Sequence, residues 1–591
     1  MKDSLNKERK AYHNSRKSFP ERQIPAKTYQ SGPDPRKVSL DILSQHFESG
    51  TPLKSLISTV LDSSGLSGLD RRFAFNLVKG TIRYRIRFDF IISSIVAKRK
   101  LEDIDPTVLN ILRMGIYQCQ FMDRVPSYSI VNESVKLAKS EQEHAAGFVN
   151  AVMRKASSIK NADIFLEGLL RKRKIGQAQV LSIRYSYPEW ITKYWMEHFG
   201  RDKTIKLCRY LNRTPGFYLR INRALRGGTT TGNSGLSSYM DSRKGPSGKG
   251  SAVTDEKKGN GDMSPYADLS ENMSEKDRKE ISGNKEKGNS RLSSDLKSIG
   301  AIPVHLMTVG LGGLESDFAE VFGPIARSVL PGGEHEVFGE AASISSAAGL
   351  EKTQLFLEGK VTVQDLSSQM AVKYFLDPRP GEKILDVCAA PGGKTAFMAD
   401  IMEDNGEIVA VDISDEKLDL LRKNISRMGA GIVRAYRADA SRKGFLSGDR
   451  YYGYFDRIFV DAPCSALGTI SKNPEVKYNK RMEGLERLSN MALAILTACG
   501  PYLKKGGRLV FYTCTLSPVE NQQTIDNFLR EMEQKYIIEE TGHTGPAAAP
   551  LEATGGKQAG SKNLSVKMQL EIMPYYLGSE GGFVSVLKKN N

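Results

Sequence analysis

Two cysteines sit in short motifs suited to covalent chemistry. Cys464 lies in Asp461-Ala462-Pro463-Cys464-Ser465, and Cys514 in Thr513-Cys514-Thr515, with Glu520 and Asn521 a few residues on. Each motif follows a short apolar stretch, Phe455 to Val460 and Arg508 to Tyr512, of the kind that forms a buried strand. Strand ends in an open parallel sheet deliver side chains to one crevice, so both thiols are expected to face a single site. A thiol there is a nucleophile once deprotonated. The competing reading makes each a small buried hydrophobe, the common fate of a free thiol. Cys499, inside a helix-patterned run, takes that second reading.

Upstream, Leu385-Asp386-Val387-Cys388-Ala389-Ala390-Pro391-Gly392-Gly393-Lys394-Thr395 reads as a strand, a glycine turn and a helix start. The glycines let the backbone pass close to a ligand, and the helix N-terminus offers free N–H groups. The Gly-Gly-Lys-Thr run is no P-loop, because Cys388 occupies the position where that motif needs its first glycine. It is no GxGxxG fingerprint either. The next strand ends in Asp412, about 20 residues on, where an acid can hold ribose hydroxyls. Asp439 follows a further strand and Asp461 a third. Three acid-tipped strands after a glycine turn imply a nucleoside cofactor, and without a nicotinamide fingerprint S-adenosylmethionine is the best candidate. Asp386 reads as a structural cap of the loop.

These elements need a scaffold, and the chain of 591 residues has room for more than one. Its formal charge of +17 suits either a polyanionic partner, most simply RNA, or a solubilising surface. Its 6 cysteines include no CxxC pair and its 7 histidines are scattered. A zinc site or disulfide framework is therefore not expected, and a reducing cytoplasm is. No apolar run reaches the roughly 18 residues of a membrane span, and no secretory signal is read at the N-terminus.

Residues 1–35 read as a disordered basic arm. Over 36–158 apolar residues recur at helical spacing (Val38, Ile42, Leu43; Leu109, Leu112, Ile116, Tyr117; Val131, Val135, Leu137), which predicts an all-α unit. Arg71, Arg72, Arg83, Arg85 and Arg87 lie on its helices, as a solvated face or an RNA-contacting one. Residues 159–355 form a connecting subdomain, with a helix opening after Tyr187-Pro188 and a short strand over Leu219–Asn222. It is interrupted by 225–299, whose Gly, Ser, Lys and Glu cannot bury enough surface to offset ordering entropy. From 356 to 591, strands at Lys383–Val387, Glu407–Val411, Ile432–Arg437, Phe455–Val460, Arg508–Tyr512 and Phe583–Leu587 alternate with helices. That order predicts a doubly wound α/β sheet. A flexible loop is expected over 541–562.

The motifs around Cys388, Asp461–Ser465 and Thr513–Cys514, with Glu520-Asn521, resemble the RNA (cytosine-C5)-methyltransferases of the NOL1/NOP2/Sun group. The segment from Phe356 to Ser368 resembles the stretch that precedes the catalytic domain there. Arg71-Arg72, Gly115-Ile116-Tyr117, Val125-Pro126 and Gly147 to Arg154 resemble a NusB-like RNA-binding domain. The resemblance implies a multidomain α plus α/β protein, with an all-α NusB-like N-terminal domain followed by a Rossmann-like S-adenosylmethionine-dependent methyltransferase domain. It implies methylation of a cytosine in 16S rRNA by a monomeric cytoplasmic enzyme. Cys514 would then attack C6 of the base, Cys464 would assist release, and Asp461 would meet the base near N3. The cofactor would lie against residues 388–394, Asp412, Asp439 and Asp461. Lys394 has a catalytic or a loop-structural role, and Lys477 meets RNA phosphate or simply solvent. Ala466 departs from the family, where a glycine commonly follows the serine. The same chemistry on tRNA or 23S rRNA, and a non-catalytic assembly factor on the same fold, remain as alternatives.

Overall fold

The structure, a computed structural model, describes residues 33–97, 99–214, 216–222, 301–303, 341–344, 349–533, 535–541 and 566–590. The basic arm, the 225–299 insertion and the 541–562 loop lie outside the described residues, save for a few at their edges. Two units divide the chain. One takes residues up to Thr214 together with Thr469–Gly484; the other takes Pro215–Gly468 and Leu485 onward.

The first unit is helical: α1 Pro35–Ser49, α2 Leu53–Ser63, α3 Gly68–Arg83, α4 Arg85–Val96, α5 Pro106–Phe121, α6 Ser127–Glu141, α7 Ala146–Ser157, α8 Ala162–Arg171, α9 Gln177–Tyr185 and α10 Glu189–Leu211. Side-chain caps start several of them: Asp34 accepts from Arg36 N, Ser67 from Asp70 N, and Asp105 from Thr107 N and Val108 N. Val38, Ile42, Leu43, Leu109, Leu112 and Ile116 are buried, as their spacing predicts, and Tyr117 is half-buried. A Cβ on Gly80 would stand 2.0 Å from the Tyr117 ring, so only glycine lets α3 approach α5 this closely. The same core takes in Leu166, Leu170 and Ile183 from beyond residue 158.

Residues 469–484 pack within this helical unit. Lys79 Nζ donates to Lys472 O (3.1 Å) and pairs with Glu475 (3.3 Å), and Arg83 Nη2 donates to Ser471 O (2.7 Å). Lys477 is fully buried, with Nζ donating to Arg83 O at 2.7 Å and lying 4.1 Å from the Tyr187 ring centroid. The expectation of a solvent-facing Lys477 is therefore wrong. Charge alone suggested a surface lysine, while a helix-end carbonyl and an aromatic face make an interior position tenable.

The second unit holds a small antiparallel sheet of β1 Phe217–Ile221, β2 Ala301–Pro303, β3 Ala341–Ile344 and β4 Val361–Val363, in the order β2-β3-β1-β4. Its main sheet comprises β5 Lys383–Val387, β6 Glu407–Asp412, β7 Val433–Arg437, β8 Phe455–Asp461, β9 Leu503–Thr513, β10 Tyr536–Ile538, β13 Gln569–Ile572 and β14 Gly582–Lys589; β11 Glu540–Thr541 and β12 Val566–Lys567 form a separate pair. The main order is β10-β14-β9-β8-β5-β6-β7, with β13 also paired to β14. Strands β5 to β9 are parallel to their neighbours, and β14 adds antiparallel to β9. Alternate residues face two separate cores: Ile384, Phe459 and Val510 on one side, Leu385, Ile458 and Leu509 on the other. Burial on both faces explains the continuous apolar runs. Helices α11 Gly393–Ile401, α12 Asp415–Arg427, α13 Met482–Cys499 and α14 Gln522–Glu531 follow the strands. The fold class expected from the sequence is the one observed. Among the described residues, no helix is long and apolar enough to cross a membrane.

Candidate active site

The chain builds β6 and β7 on one side of β5, then returns to place β8 and β9 on the other. That reversal is the topological switch point, where the carboxyl ends of the strands open a crevice. The glycine turn therefore leaves β5 at the crevice. Ala389 N donates to Val411 O (3.0 Å) and Ala390 N to Asp412 Oδ2 (3.4 Å), which ties the turn to β6. Gly392 has φ of 93°, and a Cβ there would press on Leu421 Cγ at 3.0 Å. Cys388 holds φ of 61°, and burial first, then the nearby acids, keep its thiol protonated. Asp386 accepts from Thr395 Oγ1 at 2.6 Å, a cap on the first turn of α11. Burial pushes its pKa up to about 7.

A buried residue with no sequence signal braces this turn from behind. Arg220 on β1 is fully buried, donates to Gly393 O (2.8 Å) and Gln364 Oε1 (3.0 Å), and stacks 4.7 Å from the Phe397 ring.

The residues fit a nucleoside cofactor. A Cβ built on Gly393 meets nothing within 4 Å, so the start of α11 faces open space. Asp412, Asp439 and Asp461 stand at or just beyond the ends of β6, β7 and β8. Asp412 is buried and takes only backbone donors, Ala390 N and Ser414 N, leaving lone pairs for hydroxyls. Asp439 is held by Ser441 Oγ (2.6 Å) and Arg442 Nε (3.0 Å).

The two cysteines come together. Cys464 Sγ and Cys514 Sγ are 3.4 Å apart, within hydrogen-bond reach, and both residues are half-buried. Lys394 Nζ pairs with Asp461 Oδ2 at 2.7 Å and lies 5.2 Å from the Tyr512 ring centroid. Burial pulls the Lys394 pKa down, but the Asp461 carboxylate outweighs it and holds the ammonium above its ordinary value. Cys514 is pushed well above its ordinary value, first by the Cys464 hydrogen bond, then by burial and the charges of Asp461 and Glu580.

Two adjacent residues before α14 fix both cysteine loops. Glu520, buried, accepts from Ser465 N and Ser465 Oγ, each at 2.6 Å. Because Ser465 donates its one hydroxyl proton to that carboxylate, Thr515 Oγ1 donates to Ser465 Oγ (2.7 Å) and itself accepts from Leu467 N (3.4 Å). Asn521, also buried, accepts from Thr513 Oγ1 (2.7 Å) and donates to Thr515 O (3.0 Å), so it clasps the backbone on both sides of Cys514. The motif is visible in the sequence, but these jobs are not. Ala466 has φ of 59°, a left-handed backbone that costs an alanine about 1–2 kcal/mol and a glycine almost nothing.

Residues 373–588 match the family model described as 16S rRNA methyltransferase RsmB/F, and residues 33–158 match the NusB family. The probable ribosomal RNA small subunit methyltransferase B of Bacillus subtilis (strain 168) is 26% identical over 94% of this chain and 98% of its own length. The ribosomal RNA small subunit methyltransferase B of Enterobacter sp. (strain 638) is 39% identical over 34% of this chain and 46% of its own. The crystal structure of PH0851 covers 94% of this chain and 99% of that one at TM-score 0.60 and 19% identity, a shared fold. Through residues 33–158 and 373–588, the chain belongs to the proteins that join a NusB-family helical unit to an RsmB/F-type 16S rRNA methyltransferase domain.

Proposed function

We propose that this protein methylates C5 of a cytosine in 16S rRNA through a covalent bond between Cys514 and C6 of the base. The observation that carries the reading is the pair of thiols, 3.4 Å apart, at the ends of neighbouring strands beside the switch point. Cytosine C5 is too poor a nucleophile to react unaided. Addition of the Cys514 thiolate at C6 moves the C5–C6 π electrons onto C5, which then attacks an electrophilic methyl group. S-adenosylmethionine, held by the 388–394 turn, Asp412 and Asp439, would supply that methyl group from its sulfonium and leave as the neutral thioether. Transfer of the C5 proton to water restores the double bond as the C6–S bond breaks and Cys514 leaves as thiolate.

Each remaining group has a place in this cycle. Cys464, beside the nucleophile, serves the release step. Asp461 meets the base at its N3 edge, where a proton favours attack at C6. The Lys394 ammonium, kept charged by Asp461, lies near Cys514 and offsets the charge of its thiolate. The base has to leave its helix to reach the crevice, so single-stranded or extruded RNA is the substrate form.

The test is bisulfite mapping of unmodified 16S rRNA after incubation with the protein and S-adenosylmethionine, with 23S rRNA and tRNA alongside. One newly protected cytosine in 16S rRNA is expected, and Cys514→Ala should lose transfer by on the order of 10³-fold or more. Normal turnover by Cys514→Ala, or protection confined to another RNA, overturns the reading.

A further inference from the structure

Three arginines at the junction of α3 and α4 differ in what they do. Arg83 donates to Ser471 O at 2.7 Å, and Arg87 pairs with Asp163 at 2.8 Å. Both are buried structural groups. Arg85 stands apart. Its guanidinium carbon lies over two rings, 4.0 Å from the Tyr478 centroid and 5.3 Å from that of Phe47. No carboxylate or carbonyl among the described residues accepts a hydrogen bond from it. The acid beside it, Asp89, is already held at both oxygens by Arg113, at 2.6 and 2.9 Å. Two guanidinium groups therefore share one carboxylate, and the site carries an excess positive charge.

Rings on the faces of a guanidinium leave its edge of N–H donors for a ligand, and that edge matches the oxygens of a phosphate. Arg85 lines a cleft of about 250 Å³ with His46, Phe47, Ile82, Tyr478 and Asn479. The cleft is smaller than the roughly 300–1,000 Å³ of pockets that enclose a whole drug-sized molecule. It suits one link of a longer chain, a phosphate with its sugar. His46 Nδ1 donates to Thr51 O (2.8 Å), which leaves Nε2 unused by the backbone, and Asn479 is exposed at the rim. Both are groups that can meet a ribose hydroxyl.

We propose that this cleft is an RNA subsite, in which the N–H donors of Arg85 take one backbone phosphate while Tyr478 and Phe47 pack against its guanidinium. The inference rests on the reading that RNA is the substrate. It assigns to residues 478 and 479 a part in holding RNA.

The test uses the full chain and a single-stranded 16S rRNA fragment, with affinity followed by fluorescence anisotropy over a KCl series. Arg85→Gln should weaken binding about tenfold at low salt and flatten the slope of log affinity against log salt by roughly 0.7, one phosphate contact on a single strand. Because Arg85→Gln also removes a stacking partner of Tyr478, Asn479→Asp provides a second arm. It sets a carboxylate at the rim without touching the stack and should weaken binding severalfold, while Asn479→Ser should not. Unchanged affinity and slope in Arg85→Gln and Asn479→Asp, in protein whose wild type methylates 16S rRNA, overturns the subsite and leaves the proposed function standing. A wild type that methylates no RNA overturns the function instead. Inorganic phosphate titrated calorimetrically separates a free-anion site: weakened phosphate binding in Arg85→Gln with RNA affinity unmoved also overturns the RNA assignment.

Discussion

A half-buried thiol 3.4 Å from another thiol, beside the charges of Asp461 and Glu580, ionises late, so at neutral pH Cys514 is held as the acid form. The sign is fixed by the causes. The largest is the Cys464 hydrogen bond, so removing Cys464 lowers the Cys514 pKa toward its ordinary value and raises the thiolate fraction at a given pH. Attack on C6 should therefore start at lower pH in Cys464→Ala than in the wild type. Release should fail, and an SDS-stable protein–RNA adduct should accumulate. Adduct yield on gels between about pH 6 and 10 reads both effects, against a thiol reference near 8.5. No adduct, with turnover retained, removes Cys464 from the mechanism.

At the scale of elements, the sheet was legible because burial on both faces leaves uninterrupted apolar runs, as at Leu385 and Phe459. Glycine turns and capping residues marked their ends. β9 begins at Leu503, five residues before the expected start, because Lys504-Lys505-Gly506-Gly507 has the composition of a turn while sitting on a sheet rim. The edge strands β10 and β13 carry mixed residues that a single sequence does not separate from loop. At the site, residue types announced the two thiols and the acid-tipped strands. What they could not announce was tertiary: Arg220 reaching Gly393 from another sheet, and Glu520 reaching Ser465 across 55 positions. The Glu520–Asn521 pair makes a prediction at this scale. Glu520→Ala leaves Ser465 N and Oγ buried without their acceptor, worth about 1–3 kcal/mol for each group, and frees the Cys464 loop. Transfer should fall by at least about tenfold, with substantial rescue in Glu520→Gln, which keeps an acceptor. Equal activity in Glu520→Ala and wild type removes the clasp from the site.

The molecule as a whole carries +17, yet one of its lysines is sealed inside. Burial, then the charges of Arg83 and Arg85, hold the Lys477 pKa well below 10.5. A base depressed by folding opposes the fold fully below its folded pKa, and that opposition fades as pH rises toward the unfolded value. Local stability around residues 469–484 should therefore increase with pH, and Lys477→Met should raise it near neutrality while flattening the slope. Hydrogen exchange of this segment and of α3 reads the effect; identical pH slopes in the two proteins would sink it. The same segment has a consequence for synthesis. A chain leaves the ribosome in order, and domains generally fold as they emerge, N-terminal first. Here the helical unit emerges first but lacks residues 469–484, which follow only after β8 and the Cys464 loop have been made. Until then Lys79 and Arg83 have no partners from that segment. The earliest-born unit is thus completed late, and its completion records that β8 and the Cys464 loop have already been made.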